Sequence, residues 1–230
     1  MRKYIAEFIG TFTLVFMGCG TAMLVGCDPA EGTGYLLTAL AFGLSIVACA
    51  YSIGNISGCH VNPAVSLAVL INGGLTAGEF GLYCLSQVLG AIFGSGALAV
   101  VFKVGFVNDA TGGYGSNALA GVGYSAIAGL LVEFILTFIF VMTILGVTSE
   151  KAGHGSFGGL IIGAALTFVH IFGIGLTGTS VNPARSLAPA IFCAIAGDTS
   201  AIASLWVFIV GPFAGAAAAA FVYRALENEE

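Results

Sequence analysis

Charge is what this chain lacks most. Only 7% of its 230 residues are Asp, Glu, Lys or Arg, against roughly 25% in soluble domains. So few charges cannot cover a water-exposed surface. The basic residues are Arg2, Lys3, Lys103, Lys151, Arg185 and Arg224, scattered along the chain, and the formal net charge is −5. A nucleic-acid partner is therefore excluded, because phosphate binding needs clustered Lys and Arg. Metal-type cysteine spacing is missing too. Cys19, Cys27, Cys49, Cys59, Cys84 and Cys193 are dispersed, mostly in apolar segments, and read as small packing residues, with no disulfide framework and no metal site. There is no Walker loop and no dinucleotide fingerprint, so nothing points to a cofactor or an energy source. Cys59 and His60 adjoin, but neighbouring loop residues rarely aim at each other and no oxyanion-hole motif accompanies them, which argues against an enzyme.

What the chain has instead is apolar length. Hydrophobic residues make up 58% of it, and the mean hydropathy is +1.05. The bilayer is the natural solvent for such a chain, and a spanning helix needs about 20 apolar residues. Six spans are expected, over residues 5–25, 35–53, 81–102, 125–147, 157–176 and 204–224. The first is longer than the roughly 7–15 residues of a signal-peptide core and carries Glu7, so it is read as a span. The connection over residues 103–123, rich in Gly and Asn, reads as an exposed loop.

Two further apolar stretches, residues 63–71 and 183–194, are too short to cross. Roughly 10 residues of helix reach about 15 Å, half a bilayer core. Each opens with Asn-Pro, Asn as N-cap and Pro at the first helical position. Each is therefore expected as a half-helix entering from one face, its non-helical lead-in lining water or enclosed by protein.

The chain also repeats itself. Glu7-Phe8-Ile9-Gly10-Thr11-Phe12 matches Glu133-Phe134-Ile135-Leu136-Thr137-Phe138, and Val61-Asn62-Pro63-Ala64 matches Val181-Asn182-Pro183-Ala184. One transmembrane domain over 1–230 follows, made of repeats at about 1–110 and 124–230. Each repeat holds three spans. Three is odd, so the second repeat is inverted, and its broken helix meets the first near the midplane. Arg2, Lys3, Lys151 and Arg224 fall on one side, which puts both termini in the cytoplasm. Glu7 and Glu133 are costly inside spans, and their equivalent positions suit a supporting role. Arg185, where the first repeat has Val65, must face water.

Two Asn-Pro-Ala triplets in inverted halves, with a glutamate in the first span of each, resemble the aquaporin and glycerol-facilitator family over essentially the whole chain. The resemblance implies an all-α membrane protein of six spans and two re-entrant half-helices. It implies a homotetramer in the cell membrane, surrounded by lipid, with one pore per subunit. Asn62, Pro63, Ala64, Asn182, Pro183 and Ala184 would form the pore centre, with each asparagine presenting an amide N–H to water. Phe42, His170, Thr179 and Arg185 would form the outer constriction, with Arg and His as donors. Glu7 and Glu133 would hold the loops, and His60 would line the inner vestibule. The implied function is passive, selective passage of water, without cofactor or catalysis. Ser186 and Ala190 match the water type, whereas Ile209 stands where many water channels have Trp. A glycerol facilitator, a coupled transporter and an intramembrane enzyme rank below it.

Overall fold

The computed structural model describes residues 1–27, 33–149, 151 and 153–227. Among these, the α-helices are α1 (Arg2–Val25), α2 (Thr33–Ser57), α3 (Pro63–Ile71), α4 (Ala77–Val104), α5 (Ala126–Thr148), α6 (Gly158–Thr177), α7 (Pro183–Ile195), α8 (Ser200–Ser204) and α9 (Val207–Glu227). Six helical stretches are long and apolar enough to cross a membrane, as expected from apolar length. The short helices α3 and α7 are the two half-spans. The spans run a few residues past the apolar stretches because polar residues continue or cap them. At the start of α4, Thr76 and Glu79 form a reciprocal capping box, and Glu79 also pairs with Lys3 of α1.

The fold is inside-out relative to a soluble protein. Phe93, Phe168, Phe172 and Phe221 are exposed, while Glu7, Gln87, Glu133 and His170 are buried. A bilayer makes sense of both, since lipid covers the apolar shell and the polar groups must find partners within the protein. This is a multi-pass membrane protein.

Corresponding helices pack alike in the two halves, through glycines that let backbones touch. A Cβ on Gly90 of α4 would lie 2.3 Å from the Phe8 carbonyl oxygen of α1, and one on Gly215 of α9 would lie 2.3 Å from that of Phe134 in α5. A Cβ on Gly163 of α6 would meet the Gly43 carbonyl of α2 at 2.6 Å. These small residues are therefore spent on contacts inside the chain. Gly215→Leu is expected to abolish the monodisperse peak in detergent size-exclusion chromatography, because the obstruction is main chain and cannot yield. Gly78→Ala, where nothing lies within 4 Å, should leave the peak unchanged.

The expectation of an exposed connection over 103–123 fails in part. Asn117 and Leu119 are buried, and Gly115 sits against Cys19 of α1. Asp109 ties the loop down by accepting from the Thr111 and Tyr114 backbone N–H groups at 2.9 and 2.7 Å. Glycine does not mark exposure in this segment. Here it serves close approach, and Asn supplies polar atoms that a buried partner uses.

Candidate functional site

The two half-helices begin at the same point in space. Asn62 is extended (φ −158°), and its Oδ1 accepts from the Ala64 N–H at 2.8 Å. Asn182 does the same (φ −154°), accepting from Ala184 and Arg185 at 3.1 and 3.3 Å. With their oxygens committed to the caps, the amide nitrogens reach across. Asn62 Nδ2 donates to the Val181 carbonyl at 2.7 Å, and Asn182 Nδ2 donates to the Val61 carbonyl at 2.9 Å. These reciprocal bonds fasten one half-helix to the other. Each amide has two hydrogens, so one N–H per asparagine is left over. Both helix N-termini add partial positive charge, about half an elementary charge each.

The loops leading into the half-helices are strained in matching places. Cys59 and Val61 have φ of 52° and 45°, and Thr179 and Val181 have φ of 44° and 46°. Such left-handed conformations cost of order 1–3 kcal/mol each and persist only where the surroundings impose them. The two buried carboxylates do so. Glu7 accepts from the backbone N–H groups of His60 and Val61 at 2.9 and 2.6 Å, from Ser57 Oγ at 2.7 Å and from Gln87 Nε2 at 2.7 Å. Glu133 accepts from Ser180 and Val181 N–H at 2.9 and 2.8 Å and from Thr177 Oγ1 at 2.7 Å. Carboxylates suit this task because they only accept and can take several donors at once.

A slender cavity runs past the half-helix ends. Its apolar lining comes from the spans, through Leu14, Ile46, Phe140 and Leu166. Its polar lining comes mostly from the loops and half-helices, through His60, Asn62, Ser180, Asn182 and Arg185, joined by His170 of α6. At one end the Phe42 and His170 rings stack, centroids 4.5 Å apart, and Arg185 Cζ lies 5.0 Å from the Phe42 centroid. Arg185 also borders a wider vestibule on the other side. It stands at the boundary between the two spaces.

The guanidinium is held in place. Arg185 Nη1 donates to the Gly115 carbonyl at 3.1 Å and to Asn117 Oδ1 at 2.6 Å, and Nη2 donates to the Gly178 carbonyl at 3.2 Å. Gly178 ends α6 with φ 72°, a turn that glycine makes without strain. Arg185 Nε and His170 Nε2 are buried without a protein partner. His170 Nδ1 lies 2.9 Å from the Leu166 carbonyl. A carbonyl only accepts, so Nδ1 carries the hydrogen, and Nε2 of the neutral ring is an acceptor. His170 is therefore not the second donor expected beside Arg185. The geometry makes the two complementary instead.

Phe42, His170 and Arg185 come together, and Thr179 lies on the loop between α6 and Asn182. Its side chain fills the hollow at Gly173, where a Cβ would come within 2.4 Å of Thr179 Oγ1. Sequence reasoning missed Gln87, which braces Glu7, and Asn117, which holds Arg185. Neither lies at a motif spacing, and only its partner in space reveals its role. Asn117 Oδ1 also accepts from Ser186 Oγ at 2.7 Å. Asn117→Ala is expected to lower the melting temperature in detergent by several degrees, since a hydrogen bond to a charged group contributes about 1.5–3 kcal/mol. An unchanged melting temperature would show the arginine to be held by the carbonyls alone.

An apolar bundle of six spans, interrupted by two half-helices that meet end to end, defines a membrane channel. The family model described as Major intrinsic protein matches residues 1–223, and the chain belongs to that family. It is 45% identical to "Aquaporin Z" of Brucella melitensis over 98% of each chain. It is 43% identical to "Glycerol uptake facilitator protein-like 6" of Lactiplantibacillus plantarum over 100% of each. The solved aquaglyceroporin from Plasmodium falciparum is similar in fold, with a TM-score of 0.87 and 25% identity, covering 99% of this chain and 96% of that one. The relatives' names divide between water and glycerol, so the solute has to be argued from the site.

Proposed function

We infer that this chain is a passive channel selective for water, assembled as a homotetramer in the cell membrane with both termini cytoplasmic. The observation that carries the solute is the triad of Phe42, His170 and Arg185, with two stacked rings and a guanidinium closing one cross-section. Its spare polar groups are Arg185, which keeps Nε–H and one Nη2–H as donors, and His170 Nε2, an acceptor. A water molecule that has shed its hydration shell satisfies both. The rings fill the space that a carbon chain would need.

Farther along, a water at the half-helix ends accepts from the spare N–H of Asn62 and of Asn182. Its own hydrogens then point away along the file, which breaks a continuous proton-conducting chain. The positive helix ends and Arg185 repel cations. Val61, Val181 and the apolar wall make few demands on the passing water, so the file moves on.

The full-length protein, reconstituted in liposomes, is expected to shrink the vesicles rapidly after an osmotic jump, with low activation energy and no glycerol uptake. The glycerol-type relative motivates the second reading. Parallel glycerol flux would establish it, and saturating, gradient-dependent flux would point to a coupled transporter.

A further inference from the structure

Two thiols that the channel reading leaves unused sit together at the His60 end of the cavity. Cys49 lies on α2 and is buried, whereas Cys59 lies on the loop before Asn62 and is half-buried. Their side chains interact, and a Cβ on Gly54 of α2 would lie 3.9 Å from Cys59 Cβ. The packing around them agrees. Cys49 Sγ faces the Gly10 carbonyl at 3.8 Å, and a Cβ on Gly10 would touch both Ile53, one turn on from Cys49, and Val61, two residues on from Cys59. Cys59 is also strained, with φ 52°, and its N–H donates to Ser57 Oγ at 3.1 Å. It therefore belongs to the loop that Glu7 holds.

We propose that Cys49 and Cys59 are a peroxide-oxidisable dithiol whose disulfide ties the His60 loop to α2 and restricts the channel. The thiolate of one cysteine attacks an oxygen of hydrogen peroxide, breaking the O–O bond, releasing hydroxide and becoming a sulfenic acid. The second thiol attacks that sulfur, the S–S bond forms, and the sulfenic hydroxyl leaves as water. The proton lost in forming the thiolate neutralises the hydroxide. Two thiols and one peroxide thus give one disulfide and two waters. An S–S bond of about 2.05 Å is shorter than any hydrogen-bonded contact between thiols, so its formation draws the loop toward α2. His60, the next residue, lies on the cavity wall, and in a single-file path a small shift there obstructs passage. The effect on flux rests on the water-channel reading, whereas the thiol chemistry does not.

The test uses the full chain in proteoliposomes, treated with hydrogen peroxide, alkylated and digested with chymotrypsin, which cuts after Tyr51 and separates the two cysteines. The expected result is a Cys49–Cys59 cross-linked peptide by mass spectrometry and at least a twofold fall in water permeability, both reversed by dithiothreitol. Cys49→Ser and Cys59→Ser should each lose both effects. Absence of the cross-link, or its presence without a change in permeability, overturns the proposal, as does a permeability loss that persists in Cys49→Ser. If untreated vesicles show no water flux, it is the channel reading that has failed, and the peptide map still reports on the thiols.

Discussion

Glu133→Leu is expected to leave little or no folded protein. The carboxylate takes three buried donors, the N–H groups of Ser180 and Val181 and the Thr177 hydroxyl. Leucine accepts from none of them. A buried donor without a partner costs about 1–3 kcal/mol, so the loss is of order 3–9 kcal/mol, comparable with the roughly 5–15 kcal/mol that stabilises a typical protein. The left-handed backbone at Thr179 and Val181 would also relax once its N–H groups are free. Glu133→Gln is the discriminating comparison. Its carbonyl can serve the Oε1 position, which takes Ser180 and Thr177, and only Val181 then faces an amide NH₂. Yield and melting temperature in detergent should rank wild type, then Gln, then Leu, with Leu far below. Equal behaviour of Leu and wild type would mean that the loop holds its shape without the carboxylate.

Arg185→Val should open the channel to glycerol, raising glycerol flux at least tenfold in reconstituted vesicles while water flux persists. Valine is what the first repeat carries at the matching position, Val65, where it packs in the buried core. The change removes the guanidinium from the Phe42 and His170 cross-section, and with it the fixed charge and the donor at Nε. A wider, more apolar opening admits a small polyol. Arg185→Lys should fall between the two, because an ammonium is a point charge that cannot reach Gly115, Asn117 and Gly178 as the planar guanidinium does. Glycerol flux unchanged in Arg185→Val would place the selective cross-section elsewhere along the cavity.

The fold was legible early because its signals are local. Apolar length marks a span whatever surrounds it, and Asn-Pro before a short apolar run marks a half-helix start within a single turn. The six spans and the start of each half-helix therefore stand where the sequence placed them, with ends shifted by a few residues. The repeat of Glu7 at Glu133 was legible as well, because chemical likeness at matching places needs no coordinates.

The tertiary structure decided the rest. Asn117 is 68 residues from the Arg185 it holds and Gln87 is 80 from the Glu7 it braces, and nothing in either local sequence announces a partner so far away. Thr179 has φ 44° and its side chain packs against Gly173 of α6, which no local signal marks. The free nitrogen of His170 is an acceptor because the Leu166 carbonyl beside Nδ1 keeps the hydrogen there. Sequence by itself determined a membrane-spanning chain in two related halves with half-helices opened by Asn-Pro-Ala, because hydrophobic length and helix capping act between neighbours along the chain. Which polar atoms line the cavity, which way they point and which thiols adjoin were decided only on folding, because hydrogen bonds are directional and form between groups brought together from distant segments.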